Sequence, residues 1–234
     1  MLVQVQSSAK PGIARLAPRI PASANCAVAT EHSFQAALEL MGTRLSFARN
    51  KEIYGQDEPA EYVYKVLKGS VRSYKLLDDG RRQIGAFYLP GDIFGLESSI
   101  HHRFAAEAIA DTMVIAIKRS VLTGLAQTDA VVARELWQMT ARELDHVHDH
   151  VVLLGRSSAQ ERVASFLIEM ASRSANRNEI ELPMSRQDIA DYLGLTIETV
   201  SRTFTSMERR ALIELPTSRK VRLKSRAVLR EMHS

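Results

Sequence analysis

A chain of 234 residues with 45% hydrophobic and 25% charged residues has an ordinary globular composition, enough for one large domain or two modest ones, and is neither disordered nor fibrous. Its net charge of +4 is unevenly placed: residues 1–155 hold 17 Lys and Arg against 17 Asp and Glu, residues 156–234 hold 14 against 10, so the excess lies in the last third, as a polyanion-binding module requires. A single cysteine, Cys26, excludes an internal disulfide and any multi-cysteine zinc or iron–sulfur centre, and no apolar run reaches the roughly 18–20 residues of a membrane span.

Residues 1–30, rich in Ala, Ser and Pro, read as a flexible leader. Lys10, Arg15 and Arg19 interrupt any secretory signal core, so a cytoplasmic protein is expected. From about Arg44 to Ile117, short apolar runs alternate with turn signals. Tyr62 to Leu67 ends at Lys68-Gly69, Val71 to Leu76 at Asp78-Asp79-Gly80, and Ile84 to Leu89 at Pro90-Gly91-Asp92, while Met113 to Ile117 closes the series. This spacing predicts an antiparallel roll or barrel over 31–128, with a hairpin at the Asp-Gly step. From Asp129 to Gly155 the pattern turns helical. Trp137, Thr140, Leu144, Val147, Val151 and Leu154 follow alternating steps of three and four residues, a heptad seam. Such a seam packs against a second copy or along the chain's own roll; self-pairing is the expectation. His146 and His150 are four residues apart, as a shared metal would require, but their position beside the seam predicts, with His148, a solvated face. Gly155 marks a domain boundary.

The remaining stretch, 156–234, reads as a compact helical domain. Ala159 to Arg173 carries Val163, Phe166, Leu167 and Met170 on one face, and Leu212 to Leu223 reads as two strands about Pro216-Thr217-Ser218, flanked by Arg219, Lys220 and Arg222. Between them, Ser185 and Asp188 make a capping-box-like start to a helix ending at Leu193, and Gly194 supplies a turn. Thr196 caps a second helix with an apolar face of Ile197, Val200, Phe204 and Met207 and an opposite face of Glu198, Ser201, Arg202 and Thr205. Helix, helix-turn-helix and basic hairpin follow one another in winged-helix order. The polar face has major-groove chemistry: Arg202 can donate two bonds to guanine O6 and N7, Glu198 can accept from cytosine N4, and Ser201 can bond a neighbouring base. Ser185, Arg186, Thr196, Thr199, Thr205, Arg219 and Lys220 are the expected backbone-contacting or supporting residues.

At these residues the sequence resembles the CRP/FNR superfamily of bacterial transcription regulators, in its FNR and FixK-like branch. The resemblance spans roughly residues 40–230 and rests on Tyr64-Lys65-Val66-Leu67-Lys68-Gly69-Ser70-Val71, on Leu89-Pro90-Gly91-Asp92-Ile93-Phe94-Gly95, and above all on the run from Asp188 to Arg202. It implies an α+β protein: an N-terminal antiparallel β-roll of the cyclic-nucleotide-binding kind, a long dimerisation helix over 129–155, and a C-terminal winged helix-turn-helix over 156–234. The spacing of Glu198, Ser201 and Arg202 looks like the FNR-type reading set, which implies two-fold TTGAT…ATCAA operators; Ile197 stands where the CRP-type set has an arginine.

The effectors known in the superfamily find little support. The cyclic-AMP pocket uses a Gly-Glu step and an Arg-Ser pair, whereas this chain has Gly95-Leu96 and Arg103-Phe104. An FNR-type cluster needs four thiolates; only Cys26 exists, and Ile115 resembles the position of the ligand within the roll. Haem would have to draw on His101, His102 or Cys26, which read as surface or loop residues. No cofactor is therefore expected, and Cys26 is given no redox role. No GxSxG, phosphate-binding glycine loop or HExxH points to an enzyme. The expected protein is a homodimeric transcription regulator, read as an activator, with double-stranded DNA, a second copy and RNA polymerase as partners. The turn around Asp78, Asp79, Gly80 and Arg81 is a candidate polymerase contact. The alternative is a ligand-gated sensor with an unfamiliar effector in the roll.

Overall fold

The computed structural model describes residues 33–155, 158–174 and 176–233; the expected leader and Cys26 lie outside the described residues. The strands expected from the turn spacing belong to two antiparallel four-stranded sheets. β1 (Thr43–Phe47), β3 (Tyr62–Lys68), β6 (Ile93–Phe94) and β8 (Thr112–Lys118) form one, in the order β1-β8-β3-β6. β2 (Glu52–Tyr54), β4 (Val71–Leu76), β5 (Arg82–Tyr88) and β7 (Ala105–Ala108) form the other, in the order β2-β7-β4-β5. Tyr54, Val71 and Ala106 of the second sheet pack on Tyr64, Val66, Phe94 and Val114 of the first, so the roll closes over an aromatic core. The β3–β4 turn depends on Gly69: its φ is +86°, and a Cβ there would lie 2.4 Å from the Thr112 hydroxyl.

Three helices cover the outside of the first sheet. α1 (Ser33–Met41), α2 (Arg119–Thr128) and α3 (Ala130–Gly155) bury Phe34, Leu38 and Leu122 against Val63, Ile115 and Ile117. The outside of the second sheet carries the C-terminal domain: α4 (Ala159–Arg173), β9 (Glu179–Glu181), α5 (Arg186–Leu193), α6 (Ile197–Arg209), β10 (Ile213–Glu214), β11 (Lys220–Leu223) and α7 (Arg226–His233). Its core of Phe166, Leu167, Ile189, Tyr192, Phe204 and Met207 is continuous with Ile84, Phe87 and Ile109 of the roll. Among the described residues no helix is long and apolar enough to cross a membrane.

α3 carries two neighbouring stripes. Val132, Leu136, Met139, Glu143, His146, His150 and Leu153, again at steps of three and four, are buried or half-buried on the chain's own body. One position along, Trp137, Leu144, Val147 and Val151 are exposed, Trp137 at 75%. Leu154, expected on the exposed seam, is half-buried and turned toward Gly194. The histidines correct the sequence reading. His148 is exposed, but His146 faces Glu169, with Nδ1 3.9 Å from a carboxylate oxygen, and His150 stacks on Tyr192 with ring centroids 4.1 Å apart. They belong to the inward stripe, which the outward seam hid. His102, read as a loop histidine, is also buried: it stacks on Tyr54 at 3.5 Å, and its Nδ1 lies 3.3 Å from Glu97.

Burial, helped by the neighbouring His146, pushes the His150 imidazole down to about 4. The folded chain thus resists a proton that the unfolded chain accepts near the ordinary value of 6.5. The His150 contribution to stability is complete above that value and is lost as pH falls toward 4. Urea unfolding between these limits is expected to show a midpoint that falls with pH, and His150→Gln to show a shallower fall. Equal slopes in the two proteins would contradict this placement of His150.

Candidate nucleic-acid interface

The α5–α6 unit is built from local capping. The Ser185 hydroxyl accepts from the Asp188 N–H at 3.1 Å, and the Ser185 N–H donates to Asp188 Oδ2 at 2.9 Å, a reciprocal capping box that starts α5. Gly194 ends it in the left-handed region (φ 62°, ψ 40°), and Arg162 Nη1 donates to the Leu193 carbonyl at 3.0 Å. Thr196 is extended again and accepts from the Thr199 N–H at 3.2 Å, opening α6. Two capped helices joined by one left-handed glycine are what the residue types predict.

α6 separates its faces as the spacing requires. Val200, Phe204 and Met207 are at most 1% exposed; Ile197, expected with them, stands at the rim, 37% exposed. Glu198, Ser201, Arg202 and Thr205 are all exposed on the other side. Its own backbone N–H, the Thr196 hydroxyl and Arg202 hold the Glu198 carboxyl below the usual range, so this face carries a carboxylate and a guanidinium one turn apart.

The expected supporting residues divide into two groups. Ser185 uses its N–H and hydroxyl on Asp188, the hydroxyl donating to Oδ2 at 2.8 Å. The Arg186 guanidinium lies 3.5 Å over the Phe204 ring, and desolvation lowers it to about 10, so this cation braces α5 against α6. Thr199 is half-buried and shares a 3.0 Å hydroxyl contact with Thr196. Thr196, Thr205, Arg219 and Lys220 are exposed. In the hairpin, Arg222 is neutralised by Glu179 and Glu214, and Lys224 by Glu214, whereas Arg219 and Lys220 make no ion pair among the described residues. The hairpin itself is wider than expected, since β9 pairs with β11 to make a three-stranded sheet in the order β10-β11-β9.

A set of residues that the sequence reading missed carries this unit. Arg72 of β4, only 9% exposed, donates from Nη1 to Asp188 Oδ1 at 2.8 Å and from Nη2 to Glu107 at 2.8 Å. Arg82 of β5 donates from Nη2 to the same Asp188 oxygen at 2.7 Å and from Nε to Asp191 at 2.8 Å. Arg173 of α4 reaches the Phe87 carbonyl at 2.9 Å and also pairs with Asp92. The only sequence signal was that Arg72 sits in a predicted strand, Val71 to Leu76, while Arg82 precedes the run read from Ile84, and nothing in that pattern says which carboxylate answers them.

A β-roll, a long helix with an exposed seam and a winged helix-turn-helix define a transcription regulator that binds DNA through its C-terminal domain. Residues 44–129 match the cyclic nucleotide-binding domain family and residues 161–232 the Crp-like helix-turn-helix domain family. The chain is 52% identical over 199 residues to the nitrogen fixation regulation protein FixK of Azorhizobium caulinodans, covering 83% of this chain and 80% of that one. It is 40% identical over 179 residues to the transcriptional activatory protein AadR of Rhodopseudomonas palustris, 75% of each chain. The structure of FixK2 from Bradyrhizobium japonicum superposes with a TM-score of 0.80 at 55% identity, over 83% of this chain and 98% of that one. The chain therefore belongs to the CRP/FNR family of transcription regulators, in its FixK group, and its role is regulatory rather than enzymatic.

Gly194→Ala adds no clash closer than 3.5 Å, so its cost isolates the left-handed backbone. A loss of about 1–2 kcal/mol in chemical denaturation is expected, with Gly194→Asn milder. An unchanged Gly194→Ala protein would show that the turn has another conformation.

Proposed function

We propose that the chain is a homodimeric activator that reads TTGAT-N4-ATCAA-like operators without a cyclic-nucleotide or iron–sulfur effector and contacts RNA polymerase through exposed loops of the roll. The observation that carries this reading is the exposed row of Glu198, Ser201, Arg202 and Thr205, backed by an anchor of Val200, Phe204 and Met207 that is at most 1% exposed. Such a face meets base edges while its helix stays fixed in the domain. Arg219 and Lys220 on the hairpin suit phosphates, and the name of the AadR relative supports activation. Homodimerisation is supported by the outward stripe of α3, where Trp137, Leu144, Val147 and Val151 present an apolar seam to solvent. The turn at Asp78, Asp79, Gly80 and Arg81 projects from the β4–β5 hairpin and remains the candidate polymerase contact.

Independence from cyclic nucleotides is supported by the roll cavity, of about 660 Å³. Leu96 lines it where a ribose hydroxyl would need an acceptor, and the Phe104 ring lies so close over Gly85 that a Cβ there would be 3.0 Å away. Glu97 and Glu143 face the cavity, with Arg103 the one arginine among the described residues that line it, a poor setting for a cyclic phosphate. The size of the cavity favours a second reading, a ligand-gated regulator with an effector of different chemistry. Operator affinity measured with and without cell-extract metabolites separates the two: a tenfold or greater increase would establish gating.

Purified protein is expected to shift TTGAT-N4-ATCAA DNA in air without additives. Arg202→Ala should weaken that binding by about 1–3 kcal/mol and relax selection at one G·C pair; equal loss on specific and scrambled DNA would defeat the assignment. A Leu144→Lys, Val151→Lys variant should sediment as a monomer and lose cooperative binding to the two-fold site. A dimeric variant with full affinity would remove the seam from the interface.

A further inference from the structure

We propose that Arg72 and Arg82 are positioning residues for DNA reading: by gripping Asp188 and Asp191 of α5 they fix the angle at which each roll presents α6, and so set the operator spacing the dimer accepts. The inference rests on the reading of the chain as a homodimer on a two-fold site. The covalent path from the roll to the C-terminal domain passes through the end of α3, and a single tether restrains distance better than rotation. A second attachment between β4–β5 and α5 supplies that constraint at the reading unit itself, beside the bonds of Arg173 in α4 to the Phe87 carbonyl and Asp92. Its apolar part, Ile84 and Phe87 against Tyr192 and its neighbours, is attractive but non-directional and tolerates sliding.

The ion cluster is directional. Asp188 Oδ1 takes Arg72 Nη1 at 2.8 Å and Arg82 Nη2 at 2.7 Å, while its Oδ2 holds the Ser185 N–H and hydroxyl. The carboxylate is thus bonded to both halves of the molecule, with its side chain 3% exposed. Glu107 holds the other end of the Arg72 guanidinium, and Gln187 holds the far oxygen of Asp191 at 2.6 Å, so both sides of the contact are themselves oriented. Turning α5 on the sheet breaks three charge-assisted bonds at once, two on Asp188 and one on Asp191, and strands a buried carboxylate. α6 follows α5 through the three-residue turn Gly194-Leu195-Thr196 and the Arg186–Phe204 stack, so the orientation of α5 is handed to the reading face. Each base pair added between half-sites moves them about 3.4 Å apart along the helix and rotates one about the axis. A rigid pair of reading heads follows only one such step.

The test uses the full-length protein on TTGAT-Nn-ATCAA duplexes with n from 2 to 6 and on a single TTGAT half-site. The wild type is expected to prefer one spacer by about tenfold or more, and the Arg72→Met, Arg82→Met variant to bind all spacers within about threefold while holding the single half-site as the wild type does. Arg82→Lys, which keeps the charge but not the fork that spans Asp188 and Asp191, should retain less of the preference than the wild type and more than the double variant. Should the double variant fail to fold, Arg82→Gln, at a side chain 23% exposed, makes the same comparison. A variant that weakens on every spacer equally, with the preference intact, would reduce the cluster to a structural contact and overturn the proposal. A wild type that binds well at one spacer but equally at all others would overturn it too. A wild type that binds none of the duplexes would instead overturn the proposed function, and this inference with it.

Discussion

One carboxylate, that of Asp188, is shared by two structural requirements that would otherwise be independent. With one oxygen it closes the cap of α5; with the other it receives two arginines from the β-roll. Removing a carboxylate and two guanidinium groups from water is expensive, and an apolar cluster of equal volume would hold two domains together as well. What the ions add is geometry. Every strong bond at Asp188 has a direction, and the cap side and the roll side cannot both be satisfied unless α5 lies across β4 and β5 in one orientation. The apolar surface around it, from Ile84 and Phe87 to Tyr192, supplies attraction that this geometry channels.

The same economy marks α3. One helix carries two heptad-like stripes a single residue apart, one for its own chain and one facing outward. The inward stripe begins as aliphatic packing at Val132, Leu136 and Met139 and becomes polar at Glu143, His146 and His150 before closing on Leu153. Its polar middle borders the roll cavity and its lower end meets the C-terminal domain. Glu143, whose carboxyl is raised by burial and accepts from the Tyr88 hydroxyl at 3.1 Å, ties α3 to β5 at that point. In the proposed dimer, α3 is the common reference for the roll, the reading unit and the second copy.

Much of this was legible in the residues, for reasons that differ by element. β3, β4, β5 and β8 were placed within two residues because each is an apolar run closed by a Gly, Asp-Gly or Pro-Gly signal or by the chain's own change of period. β1, β2, β6 and β7 were not, because they are short or weakly alternating, and β6 has only two residues. α1, α2 and α7 were also missed, their apolar positions being too few to establish a period. The helix-turn-helix was legible almost whole, because capping and a left-handed glycine are local chemistry. Long-range pairing left no such trace: Arg72 and Asp188 are 116 residues apart, and strand alternation predicts burial without naming a partner. The histidines of α3 were misplaced for a related reason, since a strong outward seam makes a second, polar stripe beside it look like solvent.

The cluster also sharpens the meaning of the charge count. The last third of the chain carries ten acidic residues beside its fourteen basic ones, which at first weakens the case for a polyanion partner. Many of those carboxylates face elsewhere: Asp188 and Asp191 are answered by the roll, Glu169 by Arg173, and Glu179 and Glu214 by Arg222 and Lys224. Glu198 is placed differently, exposed on the polar face of α6 and held ionised by its own backbone N–H, the Thr196 hydroxyl and Arg202. An ionised carboxylate beside phosphates opposes binding to every sequence alike, and regains favour only where a cytosine amino group meets it. In the proposed reading, Glu198 therefore acts by penalising the wrong sites, while Arg219 and Lys220 attract the duplex without reading it.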